Sequence, residues 1–163
     1  MRKIIKWVGI AIPIILIGIQ FIQPERTNPP VDESKTIFAS LNVPPEVKAI
    51  LERSCFDCHS NTTTWPWYSH VAPTSWLVAD DVKEGRRHVN FSTWADYDET
   101  RQISKLDMIS EMVTGDKMPL KTYRLMHPKA ALSKAEVNLI NSWAERAQES
   151  FLGPDSTESS GKK

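Results

Sequence analysis

A small all-α domain behind an N-terminal apolar helix is the fold this sequence predicts. Three observations carry that expectation. Apolar residues recur at three- and four-residue spacing in separate segments between residues 46 and 150. Helix-starting and helix-stopping residues bracket those segments. No stretch alternates apolar and polar residues as a half-buried strand does.

The elements follow in chain order. Met1-Arg2-Lys3 and Lys6 precede an almost uninterrupted apolar run from Trp7 to Ile22. As a helix its 16 residues span about 24 Å. Ile4 and Ile5 extend it towards a ~30 Å hydrocarbon core if Lys6 snorkels. No small-x-small cleavage site follows, so residues 1–23 read as an uncleaved signal anchor. Its basic flank precedes the apolar run, which puts the rest of the chain on the outer side. Residues 24–45 are polar and carry five prolines, and read as a tether holding the domain off the membrane.

A helix starts after Pro44-Pro45, with Val47, Ile50 and Leu51 as its apolar stripe. Residues 60–73 contain two prolines and a Ser/Thr cluster and read as a loop. Thr74 or Ser75 opens a second helix carrying Trp76, Ala79 and Val82, for which Gly85 is the expected stop. Asp96 or Asp98 caps a third, with Ile103, Leu106, Ile109 and Val113, ended by Gly115. Ser133-Lys134-Ala135-Glu136 is a capping box for a last helix facing inward through Val137, Ile140, Trp143 or Ala144, and Ala147. The domain therefore spans 46–150, and 151–163 reads as a polar, disordered tail.

Between the first two helices of the domain lies Cys55-Phe56-Asp57-Cys58-His59. C-x-x-C-H is the attachment signature for c-type haem. Thiols three residues apart lie on one side of a helical turn, where each can form a thioether to one porphyrin vinyl group. The following imidazole reaches the iron as proximal ligand. The motif uses both cysteines of the chain, which leaves too few ligands at paired spacing for a zinc site. A redox dithiol would not explain His59, and a disulfide here closes too small a loop to stabilise much. The sequence thus predicts one haem c, bound through Cys55 and Cys58 with His59 on the iron. Six tryptophans, five of them beyond the anchor, suit a flat aromatic cofactor, with about two of them as readily packing only against each other. Lys+Arg and Asp+Glu are 20 each, which argues against nucleic acid as a partner.

The iron has a sixth position. Met118, in Gly115-Asp116-Lys117-Met118-Pro119, is the leading candidate: a loop residue 59 positions beyond His59, stiffened by the proline after it. His88 is the strongest competitor, ahead of His70, His127, Met126, Met108 and Met112. Arg86, Arg87 and Arg124 are candidates for pairing with propionates.

The ordered set Cys-Phe-Asp-Cys-His-Ser-Asn (55–61), Trp-Pro-Trp-Tyr (65–68), Ala-Pro-Thr-Ser-Trp (72–76), Glu-Gly-Arg-Arg-His-Val-Asn-Phe-Ser-Thr-Trp (84–94), Lys-Met-Pro-Leu (117–120) and His-Pro-Lys-Ala (127–130) resembles the bacterial haem-binding domain family over residues 38–148. The resemblance implies a small, cytochrome c-like helical domain around one covalently bound haem. It matches Cys55 and Cys58 to attachment, His59 to iron ligation, and Met118 to a Met-Pro ligand loop. It also implies an N-terminal membrane segment before that domain. With the anchor's basic flank inside, the expectation is a single-pass protein of the bacterial inner membrane whose haem lies on the periplasmic side, where haem is attached to such motifs. The residues between His59 and the second helix are an insertion relative to simple cytochromes c and leave the haem's exposure open.

Two functions fit. One is a membrane-anchored mono-haem electron carrier with His/Met ligation and an unidentified redox partner protein. The other is a ligand-binding or sensing module with an open or labile sixth site. An enzyme is less supported, since only His70 or His88 could act as a distal acid or base.

Overall fold

The computed structural model describes residues 2–152 and is helical throughout, with no strand among the described residues. Eight α-helices occur among them: α1 (Arg2–Gly18), α2 (Ile37–Ser40), α3 (Pro45–Ser54), α4 (Phe56–His59), α5 (Thr74–His88), α6 (Glu99–Thr114), α7 (Lys121–Met126) and α8 (Lys134–Leu152). Short 3-10 turns at Trp67–His70, Phe91–Asp96 and Pro128–Ala130 shape the connections.

The expected caps form. Pro45 occupies the first turn of α3, where its missing N–H costs nothing. The Asp98 carboxylate accepts from the Arg101 N–H and starts α6. At α8 the Ser133 N–H donates to Glu136 Oε2 at 2.8 Å and the Glu136 N–H returns to Ser133 Oγ at 3.3 Å. Helix α6 ends at Gly115, yet the left-handed residue is the next one, Asp116, at φ 51°. Aspartate tolerates that region better than most side chains.

Gly85 does not stop α5, which continues to His88. The last helix also runs past the expected end of the domain to Leu152; the rest of the expected tail lies outside the described residues.

α6 packs on α8, α3 on α8 and α4, and α4 on α5. The main core joins Ile37, Val47, Leu51, Phe91, Trp94, Leu106, Trp143 and Ala144. A second cluster of Ile50, Val113 and Ile140 fills the space between α3, α6 and α8. Both large indoles find acceptors: Trp94 Nε1 donates to Gln102 Oε1 at 2.9 Å and Trp143 Nε1 to the Asn42 carbonyl at 3.2 Å.

The apolar run forms α1 and a following 3-10 turn. Its Ile4–Phe21 window, with mean hydropathy 2.1, is long and apolar enough to cross a membrane. The segment read as a tether is pinned to the domain. Ile37 of α2 is fully buried in the main core. Arg86 donates to the Thr27 carbonyl and to Asn28 Oδ1, and Asn28 Nδ2 donates to the Thr63 carbonyl. Proline content and polarity pointed to a free linker, but these backbone and side-chain acceptors are matched by α5 and the loop beside it.

Candidate haem site

The motif Cys55–His59 is a single helical turn wedged between α3 and α5. The His59 and Cys58 N–H groups both donate back to the Cys55 carbonyl, at 2.9 and 3.2 Å. This turn puts Cys55, Cys58 and His59 together on the wall of a cavity of about 460 Å³. The cavity lies between the α4/α5 pair and α6 with the loop after it. Gly85, Val89 and Phe91 flank the motif; Met108, Ile109, Met112 and Val113 of α6 and Met118, Pro119, Leu120 and Tyr123 supply much of the rest. The volume and the apolar lining suit the body of a large flat ligand.

His59 is held as a proximal ligand needs to be. Its Nδ1 lies 2.9 Å from the Gly85 carbonyl and 3.1 Å from the Val89 carbonyl. Two acceptors fix the proton on Nδ1, so Nε2 carries the lone pair, and it has no hydrogen-bond partner among the described residues. Burial lowers the His59 pKa, against the opposing pull of those two carbonyls, which keeps the ring neutral and able to bind a metal.

Gly85 makes this possible in a way the sequence reading missed. A Cβ there would sit 2.5 Å from the Cys58 carbonyl oxygen and 3.1 Å from Cys58 Cβ. Only glycine lets α5 approach the motif closely enough for its carbonyl to reach His59.

Burial pushes both thiols up to about 12, with further upward contributions from Cys58 on Cys55 and from Asp81 and Asp57 on Cys58. Arg53 and Arg86 oppose this only partly. Protonated thiols in an apolar wall are the reverse of an activated redox dithiol, which works through a depressed pKa.

The residues expected as candidates for a second iron ligand separate by position. Met118, Met108, Met112 and His88 line the cavity; His70, His127 and Met126 do not. The N–H groups of Lys117 and Met118 both donate to the Met112 carbonyl, at 3.0 and 3.1 Å, which folds the Met118 loop back onto the end of α6. His88 belongs to the same helix whose carbonyls hold His59. Its side chain is 53% exposed, with Nε2 3.0 Å from an Arg87 nitrogen. His127 stacks on Tyr123 with ring centroids 4.3 Å apart and meets the Tyr68 hydroxyl at 3.3 Å.

None of the three arginines considered for propionates lines the cavity. Arg86 is spent on the fold, donating to the carbonyls of Ser60 and Thr27 and to Asn28 and Thr63 side-chain oxygens. Arg87 pairs with Glu84, and Arg124 with Asp116 at 2.8 Å. The tryptophans are absent from the lining as well. Trp94 and Trp143 are core residues, and the aromatic rings at the cavity are Phe91 and Tyr123. The 60–73 loop packs outside the cavity, tied by Thr63 Oγ1 to the Asp57 carbonyl and by the Asn61 N–H to Ser92 Oγ.

Two residues of the site carried no sequence signal of their own. The Tyr123 hydroxyl donates to Asp57 Oδ2 at 2.7 Å, joining α7 to the middle of the motif. Burial, then this carboxylate, raises the Tyr123 pKa, so the hydroxyl stays a donor. Asp57 also accepts from the Thr64 N–H through Oδ1.

No curated protein and no solved structure matches the chain. The profile of the haem-binding domain family, however, matches residues 14–146, which hold the motif, α5, α6, the Met118 loop and most of α8. A cavity of the right volume, walled by two thiols and an imidazole with a free Nε2, agrees with that match, and the chain belongs to the haem-binding domain family.

Proposed function

We propose that this protein is a membrane-anchored mono-haem electron carrier, with haem c joined to Cys55 and Cys58 and its iron held by His59 and Met118. The observation that carries the reading is the His59 ring, fixed through Nδ1 by two carbonyls, on a cavity wall shared with both thiols and with Met118. Cys55 and Cys58 would each hold the haem through one thioether, the thiol S–H adding across a vinyl group with no net oxidation or reduction.

When bound, the haem supplies one-electron chemistry through its Fe(III)/Fe(II) couple. The chain's residues hold and tune it. The Gly85 and Val89 carbonyls orient His59 and raise its basicity as a ligand. Met118 is preferred over His88 because His88 rises from the helix that already supports His59, whereas Met118 comes from the loop beyond α6. Met108 and Met112 stay within α6, and Met108 also packs against the main core. A Met118 thioether paired with the His59 imidazole on the iron would raise its reduction potential. Ile109, Val113, Pro119 and Leu120 give the cavity an apolar wall against which a haem face would be buried. The protein is read as a carrier rather than an enzyme, its anchor α1 holding the haem domain at the periplasmic face of a bacterial inner membrane.

The test is the visible spectrum of the reduced protein, matured in a host that attaches c-type haem, before and after carbon monoxide. A carrier with a firm sixth ligand keeps its six-coordinate spectrum. The Met118→Ala variant loses the weak far-red sulfur-to-iron band of the ferric form and binds CO. Rapid CO binding by the unaltered protein would refute firm ligation and favour a sensing module. A far-red band that survives in Met118→Ala would move the ligand to Met112 or Met108.

A further inference from the structure

We propose that the haem domain sits directly on the bilayer, with the exposed apolar side chains of the 60–79 segment, Trp67, Val71 and Leu77, seated in the lipid headgroup region. The proposal rests on the reading of α1 as a membrane anchor and goes beyond it, since an anchor alone leaves the domain free to stand off.

Three observations support it. The first is where the anchor ends. Gln20, at the close of the apolar window, bonds the Ala72 backbone twice, Nε2 donating to its carbonyl at 3.0 Å and Oε1 accepting its N–H at 2.9 Å. Two residues on, the Ile22 carbonyl accepts from Trp76 Nε1 at 2.7 Å. The helix thus passes into the domain with no slack, and residues 72 and 76 lie at the level where it leaves the membrane.

The second is what surrounds those contacts. Trp67, Val71 and Leu77 are 72%, 45% and 52% exposed, and Phe21 and Ile22 beside them are exposed as well. None of these lines the haem cavity. Apolar side chains gathered at a helix exit have a ready solvent in the interface, where tryptophan and tyrosine are most at home.

The third is charge. The chain is 25% Asp, Glu, Lys and Arg, yet Ser60 to Ala79 contains none of them. Charged groups are the ones an interfacial face would have to desolvate. Glu25, Asp80, Lys83 and Arg86 border the segment at the groove beside Trp65 and Trp76, away from the exposed Trp67 and Val71 side chains. The occupant that fits is therefore the interfacial layer of the bilayer carrying α1, which is continuous with this face through Gln20 and Ile22.

The experiment uses the full-length, haem-loaded chain in phosphatidylcholine vesicles containing a phosphatidylcholine with a diazirine near its headgroup. Photolysis is followed by peptide mapping of lipid adducts. The expected result is adducts on 60–79 in addition to α1. In the Trp67→Glu/Leu77→Glu double variant, both positions being exposed, the 60–79 adducts fall severalfold while those on α1 stay unchanged. Adducts confined to α1 would overturn the docking and leave the anchor standing, with the face free for a protein partner. A chain that does not float with the vesicles would overturn the anchor itself.

Discussion

Replacing Gly85 by alanine sets two effects against each other, and the structure decides the sign. Alanine is the better helix former, worth about 1 kcal/mol in a helix interior. Position 85 is inside α5, so propensity alone makes Gly85→Ala stabilising. The new methyl, however, would lie 2.5 Å from the Cys58 carbonyl oxygen and 3.0 Å from its carbon, backbone atoms that cannot rotate away. Restoring ordinary contact near 3.4 Å requires α5 and the motif turn to part by roughly 0.9 Å. Such overpacking costs about 1–3 kcal/mol. The same movement stretches the 2.9 Å bond from His59 Nδ1 to the Gly85 carbonyl, worth a further ~0.5–1.5 kcal/mol. Net destabilisation of about 0.5–3.5 kcal/mol is expected once the propensity gain is subtracted. Guanidinium unfolding of the haem-loaded protein, followed by far-ultraviolet dichroism, measures it. The reduction potential should move too, because a weaker Nδ1 hydrogen bond makes His59 a poorer donor to iron. A Gly85→Ala protein as stable as the parent, or more so, would refute the close approach of α5 to the motif.

Other expectations follow from the same contacts. Tyr123→Phe keeps the stack on His127 but removes the donor to Asp57, and should cost about 1.5–3 kcal/mol and speed CO binding as α7 loosens beside the Met118 loop. Unchanged stability and CO kinetics would count against that link. Cys55→Ser and Cys58→Ser should each leave haem attached by a single thioether, and the double variant should lose all haem from a denaturing gel; haem staining that survives in the double variant would refute covalent attachment. Glu136 is held at about 2 first by the Ser133 N–H and then by Arg53, so its contribution is present above the usual carboxylate range and lost as pH falls towards 2. Thermal melts of the parent and Glu136→Gln should therefore converge as pH drops from 6 to 2, and curves that stay parallel would contradict the assignment.

The helices that pack against the core were legible because their pattern is local. Val47, Ile50 and Leu51 on α3, Leu106 and Val113 on α6, and Ile140 and Trp143 on α8 recur at helical spacing and are buried. The capping box at Ser133 was legible for the same reason. The motif named three wall residues of the cavity, and the Met-Pro loop named a fourth. Non-local pairing was not legible. Nothing near Asp57 announces a tyrosine 66 positions away, and the residue pair is joined only because α7 folds back over the motif. Gly85 was visible as a glycine but misread, since glycine in a helix looks like a terminator until the backbone it must clear is known. The tryptophans were legible only in part: packing was open for some of them, and Trp94 and Trp143 are buried in the core, but none lines the cavity. The tether misled because proline-rich polar sequence describes a free linker and a strapped-down one equally.

Helix α5 is where anchor and haem site meet. Near its start Trp76 donates to the end of the apolar segment, and nine residues later Gly85 closes on Cys58 and supports His59. At 1.5 Å per residue these points are about 14 Å apart along the helix axis. Arg86 adds a strap, binding the post-anchor residues Thr27 and Asn28 and the Ser60 carbonyl just past the motif. A domain joined to its anchor this way cannot swing freely. If α1 spans the bilayer and the protein carries electrons, as proposed, its haem would be confined to one height above the bilayer, and a partner's redox centre would have to reach that height. Loosening the joint, by Gln20→Ala with Trp76→Phe, should leave the reduction potential unchanged while altering the rate of electron exchange with a membrane-embedded partner. A changed potential would show that the joint shapes the haem pocket itself, and an unchanged rate would show that the domain's height does not govern the exchange.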